Sequence, residues 1–265
     1  MRRFYIDPNK VKDGIAVMES KEDVHHILNV LRMEPGDEVV LFDGTGREYS
    51  AVILSDEKND NADLVPLKSI PKEPKENLAF SIKSEKETER KDTARITLFQ
   101  GVPKRGKLDG IVRQTTELGV SEIVPVYTHR SVPKDNGNSF KQDRLNKIAT
   151  EAARQSGRTT IPDISTAINF EKAVDEFKGF DLVLFLYEDE KDISIRYVLE
   201  KSFRDCSEKI RRIAVMIGPE GGFMREEVEA AKAVGAFPCS LGDTILRTET
   251  AGPAAIAMLR YATKL

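Results

Sequence analysis

Ile213-Ala-Val-Met-Ile-Gly-Pro-Glu-Gly-Gly222 runs an unbroken apolar segment into a turn holding three glycines. A strand that is apolar at every position keeps no face for water, which marks a parallel sheet covered on both sides. Leu182-Val-Leu-Phe-Leu-Tyr187 has the same character. Around these two, the pattern predicts strands over Arg95–Gln100 and Glu122–Tyr127. Helices are predicted over Lys107–Leu118 (with Gly119 at C′), Phe140–Gln155 and Arg225–Val234. Strands alternating with helices at this spacing predict an α/β domain with helices on both faces of a parallel sheet.

The first seventy residues differ. Arg3–Ile6 is strand-like, and Lys21-Glu22-Asp23 opens a helical run with Val24, Ile27, Leu28 and Leu31 on one face until Pro35-Gly36-Asp37. Glu38–Phe42, the turn Asp43–Gly46 and Glu48–Leu54 then predict an antiparallel hairpin, and the whole suggests a small closed β-barrel. Three prolines between Pro66 and Pro74 read as the connection between domains, so the boundaries expected are 1–72 and 73–265. A length of 265 residues suits two such domains. After a strand near Phe80, Ser84–Asp92 reads as an exposed polar insertion.

Composition excludes several classes. Hydrophobic residues at 40% and charged residues at 32% describe a globular chain rather than a disordered or fibrous one. No apolar run is long enough for a membrane helix, and Met1–Tyr5 leads into no secretory h-region, so a cytoplasmic location is expected. The two cysteines, Cys206 and Cys239, are too far apart for a zinc knuckle, and no metal is expected. Net charge is −3, yet residues 101–158 carry eleven basic and six acidic side chains. That local excess would draw a polyanion, although a solvated helix face reads the same way.

Three stretches carry chemistry. Gly101-Val-Pro-Lys-Arg-Gly-Lys107 nearly spells a phosphate-binding loop, but Leu108 replaces the Mg²⁺-binding hydroxyl and Pro103 deletes an amide. Lys104, Arg105 and Lys107 at a helix N-terminus then suit a nucleic-acid phosphate better than a triphosphate. Gly218–Gly222 lies outside the carboxyl end of a buried strand, where open α/β sheets hold their ligands. Glu220 within it favours a ligand that is neutral or cationic there. In Leu241–Pro253, Arg247 and Glu249 sit between apolar segments, which predicts partial burial and a role beyond a surface ion pair. Pro253 suits the first turn of the following helix.

Gly218-Pro-Glu-Gly-Gly-Phe223 and Leu241-Gly-x-x-Ile-Leu-Arg-Thr-Glu-Thr-Ala251 resemble the signatures of the bacterial 16S rRNA uracil-N3 methyltransferase family within the SPOUT superfamily. Thr116–Val120, His129-Arg-Ser131, Glu151–Arg158, Arg2-Arg3-Phe4, and His26–Arg32 through Asp43-Gly44 match as well. The resemblance implies a SPOUT-type trefoil-knotted parallel-sheet domain preceded by a small PUA-like β-barrel, working as a homodimer through the knot domain on 16S rRNA of the small ribosomal subunit. It implies S-adenosylmethionine as cofactor, held by Leu186, Tyr187, Glu188, Ile217, Gly218, Pro219, Glu220, Gly221, Gly222, Ser240, Leu241, Gly242, Ile245, Leu246 and Arg247. Within that frame Glu249 is the candidate general base or orienting group, and Arg247 the group that meets the uracil oxygen or a phosphate. Arg2, Arg3, Lys104, Lys107, Arg113, Arg130, Arg154, Gln155 and Arg158 are the expected RNA contacts. Met224 stands where the family commonly has Ser, losing a helix N-cap worth about 1 kcal/mol. The competing readings are a non-catalytic RNA-binding protein and a nucleotide hydrolase; cofactor binding and Mg-ATP binding respectively separate them.

Overall fold

A computed structural model describes residues 2–55, 77–87, 94–104, 106–131, 142–205 and 210–263. Its contacts divide the chain into two compact units, Met1–Arg90 with Gly157–Thr160, and Lys91–Ser156 with Ile161–Leu265.

The first unit holds β1 (Arg3–Tyr5), β2 (Val11–Lys12), β3 (Ile15–Met18), a helical turn α1 (Lys21–His25), β4 (Glu38–Phe42), β5 (Arg47–Ile53) and β6 (Leu78–Glu87). They form one six-stranded sheet in the order β1-β4-β5-β6-β3-β2, antiparallel except for β1 on β4. Phe4, Val24, Ile27, Leu41, Tyr49 and Phe80 fill its core. Ser20 Oγ caps α1 by accepting from Asp23 N, and the chain then widens into a π turn over His26–Val30. Buried Asp43 shapes the hairpin turn: its Oδ1 accepts from Thr45 N and Arg47 N, its Oδ2 from Tyr49 OH.

The division expected after residue 72 moves here to Arg90, because β6 pairs with both β5 and β3 and completes the first sheet. Ser84–Glu87 accordingly extend β6 instead of opening a loop; residues 88–92 of the expected insertion and the proline-rich 66–74 lie outside the described residues.

The second unit contains β7 (Arg95–Gly101), α2 (Lys107–Glu117), β8 (Glu122–Tyr127), α3 (Gln142–Ser156), β9 (Asp163–Ile164), β10 (Ile168–Asn169), α4 (Phe170–Phe177), β11 (Leu182–Leu186), α5 (Ile195–Asp205), β12 (Arg212–Ile217), α6 (Arg225–Ala233), β13 (Phe237–Cys239) and α7 (Thr248–Ala262). The sheet is parallel throughout, in the order β10-β8-β7-β12-β11-β13, with β9 also on β8. Alternate residues of β11 and β12 feed two cores. Leu182, Leu184, Ile213 and Val215 pack with α2, α5 and α7; Val183, Phe185, Ala214 and Met216 pack with α4 and α6. This is why both strands are apolar throughout. Helix α7 starts at Thr248, one turn earlier than Pro253 suggested. Pro253 therefore lies inside the helix and has no N–H for the Glu249 carbonyl.

Candidate functional site

The loops after β11, β12 and β13 close around a cavity of about 730 Å³. Of the residues expected to hold a cofactor, Gly221 alone is not in its wall. Gly221 faces outward instead, its carbonyl accepting from Arg130 Nη1 at 2.8 Å. Two glycines allow the fit. A Cβ on Gly101, at the end of β7, would sit 2.6 Å from Pro219 N. Gly222 has φ +67°, and a Cβ there would lie 1.7 Å from Glu188 Oε1.

A hydrogen-bonded chain locks this loop to its neighbours. Gln100 Nε2 donates to Thr248 Oγ1 at 2.9 Å, and Thr248 Oγ1 donates to the Gly218 carbonyl at 2.6 Å. The start of α7 is thereby tied to the glycine loop and to β7. Across from it, Lys107 Nζ lies 3.1 Å from Glu220 Oε1 and 3.0 Å from Glu249 Oε2. Glu220 also accepts from Lys104 N, at 3.1 and 3.2 Å. The bonds to Glu249 and then Glu220 hold the Lys107 ammonium above its ordinary pKa. Glu249 is held below the usual carboxylate value by its own backbone N–H and then by Lys107. Burial pushes Glu220 up, but its own backbone N–H, Lys107 and Lys104 outweigh that and lower it.

These contacts alter two expectations. The charge of Glu220 is matched from α2, so the carboxylates left to meet a positive ligand are Glu188, Glu190 and Asp243 in the cavity wall. No local pattern signals this pairing, because Lys107 is over a hundred residues away. Glu249 pairs with Lys107 and not with Arg247; it is half-buried as expected, whereas Arg247 is exposed. The cavity has an apolar wall in Leu186, Ile217, Leu241 and Leu246, and Ile245 stands 80% exposed at it. Such a space suits a flat aromatic group and a positive centre. It does not suit a pyrophosphate: Lys107 is already engaged by two carboxylates. Cys239 in the wall is buried, and desolvation followed by Glu190 pushes its thiol up to about 12, so it stays a protonated spectator. Cys206 and Arg105 lie outside the described residues.

The expected RNA contacts are spread over both units. Arg3 donates from Nε to Glu48 and from Nη2 to the Arg158 carbonyl, and stacks 4.0 Å above the Phe42 ring. Arg2 Nη1 donates to the Leu31 carbonyl, and Arg158 Nη2 to Thr160 Oγ1. In the second unit Lys104, Arg113, Arg130 and Gln155 are exposed, while Arg154 pairs with Glu151 at 2.6 Å. Thr248 and Gln100 escaped the sequence reading. Gln100, a polar residue ending an apolar strand, was the available signal.

Residues 89–260 match the family of RNA methyltransferase domains, and residues 20–65 the PUA domain of RNA methyltransferases. The ribosomal RNA small subunit methyltransferase E of Bacillus subtilis is 31% identical over 272 aligned residues, covering 100% of this chain and 98% of the relative. That of Rickettsia conorii is also 31% identical, over 97% of this chain and 94% of its own length. The crystal structure of the Neisseria gonorrhoeae ribosomal RNA small subunit methyltransferase E bound to S-adenosyl methionine superposes with a TM-score of 0.76 at 28% identity, covering 98% of this chain and 97% of that one.

Proposed function

We propose, since the chain belongs to the RNA methyltransferase family, that it uses S-adenosylmethionine to methylate N3 of a uridine in 16S rRNA of the small ribosomal subunit. The observation that carries this reading is the cavity of about 730 Å³ bounded by the two glycine-bearing loops, with apolar walls and three carboxylates besides the Lys107-paired Glu220. A cofactor joining adenosine to a sulfonium fits these groups without needing an anion cradle. Its methyl group, bonded to positively charged sulfur, supplies the electrophile.

The chain's own residues do the rest. Leu186–Glu188, Ile217–Glu220, Gly222 and Ser240–Arg247 hold the cofactor, with Glu188, Glu190 and Asp243 facing its positive or hydroxyl-bearing parts. The Gln100–Thr248–Gly218 chain fixes the loop that aligns it, and alignment supplies much of the acceleration in a direct displacement. Uracil N3 carries a proton at neutral pH, and Glu249, held ionised, is the acceptor for it. Arg247, exposed beside the cavity, steadies a uracil oxygen or a phosphate. Lys104, Lys107, Arg113, Arg130, Arg154 and Gln155 from the second unit, and Arg2, Arg3 and Arg158 from the first, complete the RNA contacts. The further parts of the reading are a trefoil knot around the cofactor loops, a homodimer formed through that domain, and a cytoplasmic location. Among the described residues no helix is long and apolar enough to cross a membrane, and no cluster of metal-ligating side chains occurs.

Nucleoside mass spectrometry of 16S rRNA from a deletion strain tests the reading. One N3-methyluridine disappears and returns with the wild-type gene; an unchanged modification profile refutes it.

A further inference from the structure

A second cavity of about 470 Å³ lies between the first turns of α2 and α7. Gly106, Gly110, Gln114, Thr250 and Pro253 wall it, together with Lys107 and Glu249. Lys107 is the one side chain among the described residues that lines both cavities. Its ammonium reaches Glu220 in the wall of the first at 3.1 Å and Glu249 in the wall of the second at 3.0 Å. The unbranched, half-buried Lys107 side chain thus borders both spaces.

We propose that this second cavity seats the pyrimidine base receiving the methyl group, with Lys107 and Glu249 reading its imide edge. The inference rests on the uridine reading above and adds where the acceptor binds. An imide edge presents a carbonyl acceptor beside an N–H donor. Lys107 has only donors and ionised Glu249 only acceptors, so a donor and an acceptor 3.0 Å apart meet that edge with matching polarity. Cytosine would turn an unprotonated N3 toward Glu249, setting two acceptors face to face, which selects against it.

The step balances. Glu249 takes the N3 proton as the N3–carbon bond forms and the carbon–sulfur bond breaks, its electron pair going to sulfur. Lys107 keeps its protons throughout and holds the carbonyl oxygen on which negative charge collects.

Gly110 provides the test. It lies inside α2, faces this cavity, and a Cβ there meets no heavy atom within 4 Å. Gly110→Leu therefore fills the cavity without a backbone clash and improves helix propensity. Wild-type and G110L full-length protein are compared on unmodified small-subunit RNA transcribed with 4-thiouridine. The readouts are cofactor dissociation constant by calorimetry, methyl transfer, photo-crosslinked peptides by mass spectrometry, and mass by light scattering. G110L is expected to keep its cofactor affinity within twofold and its oligomeric state. It is expected to lose at least 100-fold in methyl transfer, and to lose a wild-type crosslink within residues 107–114 or 249–254. Wild-type methylation with undiminished G110L turnover, or crosslinks confined to other segments, overturns the inference and leaves the uridine reading standing. A change of mass in G110L assigns the cavity to a contact between copies and overturns it too. Wild-type protein that produces no N3-methyluridine fails the uridine reading itself.

Discussion

Gly222→Ala perturbs the cofactor cavity through one measurable conflict. The backbone there has φ +67°, a conformation that disfavours a Cβ by about 1–2 kcal/mol. At roughly 2–4 °C per kcal/mol for a chain of this size, the melting temperature should fall by about 2–8 °C. The new Cβ would also stand 1.7 Å from Glu188 Oε1, so that carboxylate must leave its place in the cavity wall. A hydrogen bond to a charged group is worth about 1.5–3 kcal/mol, and losing it weakens cofactor binding about 10- to 100-fold. The two losses separate in a double-mutant cycle followed by calorimetry and thermal unfolding. Glu188→Ala alone should weaken binding by the same factor. Gly222→Ala added to it should lower the melting temperature again without further loss of affinity. Affinity losses that simply multiply, or a G222A protein that binds S-adenosylmethionine like wild type, would refute the reasoning.

Glu249→Gln should reduce methyl transfer about 10²- to 10⁴-fold while the cofactor dissociation constant stays within twofold, checked by tritium transfer and calorimetry. Because its own backbone N–H and Lys107 lower the Glu249 carboxyl, the base form persists through neutral pH and is lost only as pH falls below the ordinary carboxylate range. Lys107→Met should therefore move the acidic limb of the rate profile upward; an unmoved limb would refute the coupling. Thr248→Val leaves the Gly218 carbonyl and the Gln100 amide without their shared hydroxyl, and should destabilise the protein by about 1–3 kcal/mol in thermal unfolding. Arg154→Ala should weaken RNA binding and reduce the salt slope by about one, with cofactor affinity unchanged, in filter-binding titrations. Met224→Ser, at the N-cap of α6 where no side-chain cap bond forms, should stabilise the protein by about 1 kcal/mol.

The α/β architecture was legible because it follows from local chemistry. Continuous apolar runs at 182–187 and 213–217 can only be buried on both faces, and Gly218–Gly222 after such a strand marks a close approach of backbone to ligand. The loops at the strand ends were readable for the same reason, and all the positions expected there except Gly221 line the cavity. Three things were decided by tertiary structure. β6 joined the first unit because its partners, β5 and β3, precede it by tens of residues, and no local signal chooses between sheets. The partner of Glu249 turned out to be Lys107, brought in from α2 across 142 positions, where a neighbouring Arg247 was the obvious candidate on spacing alone. The Gln100–Thr248–Gly218 chain likewise joins three segments that only the folded sheet brings together. Burial and periodicity are properties of a strand or helix and can be read along it. Pairing of charges and hydroxyls depends on which elements the packed core sets side by side, and that is fixed only when the chain has folded.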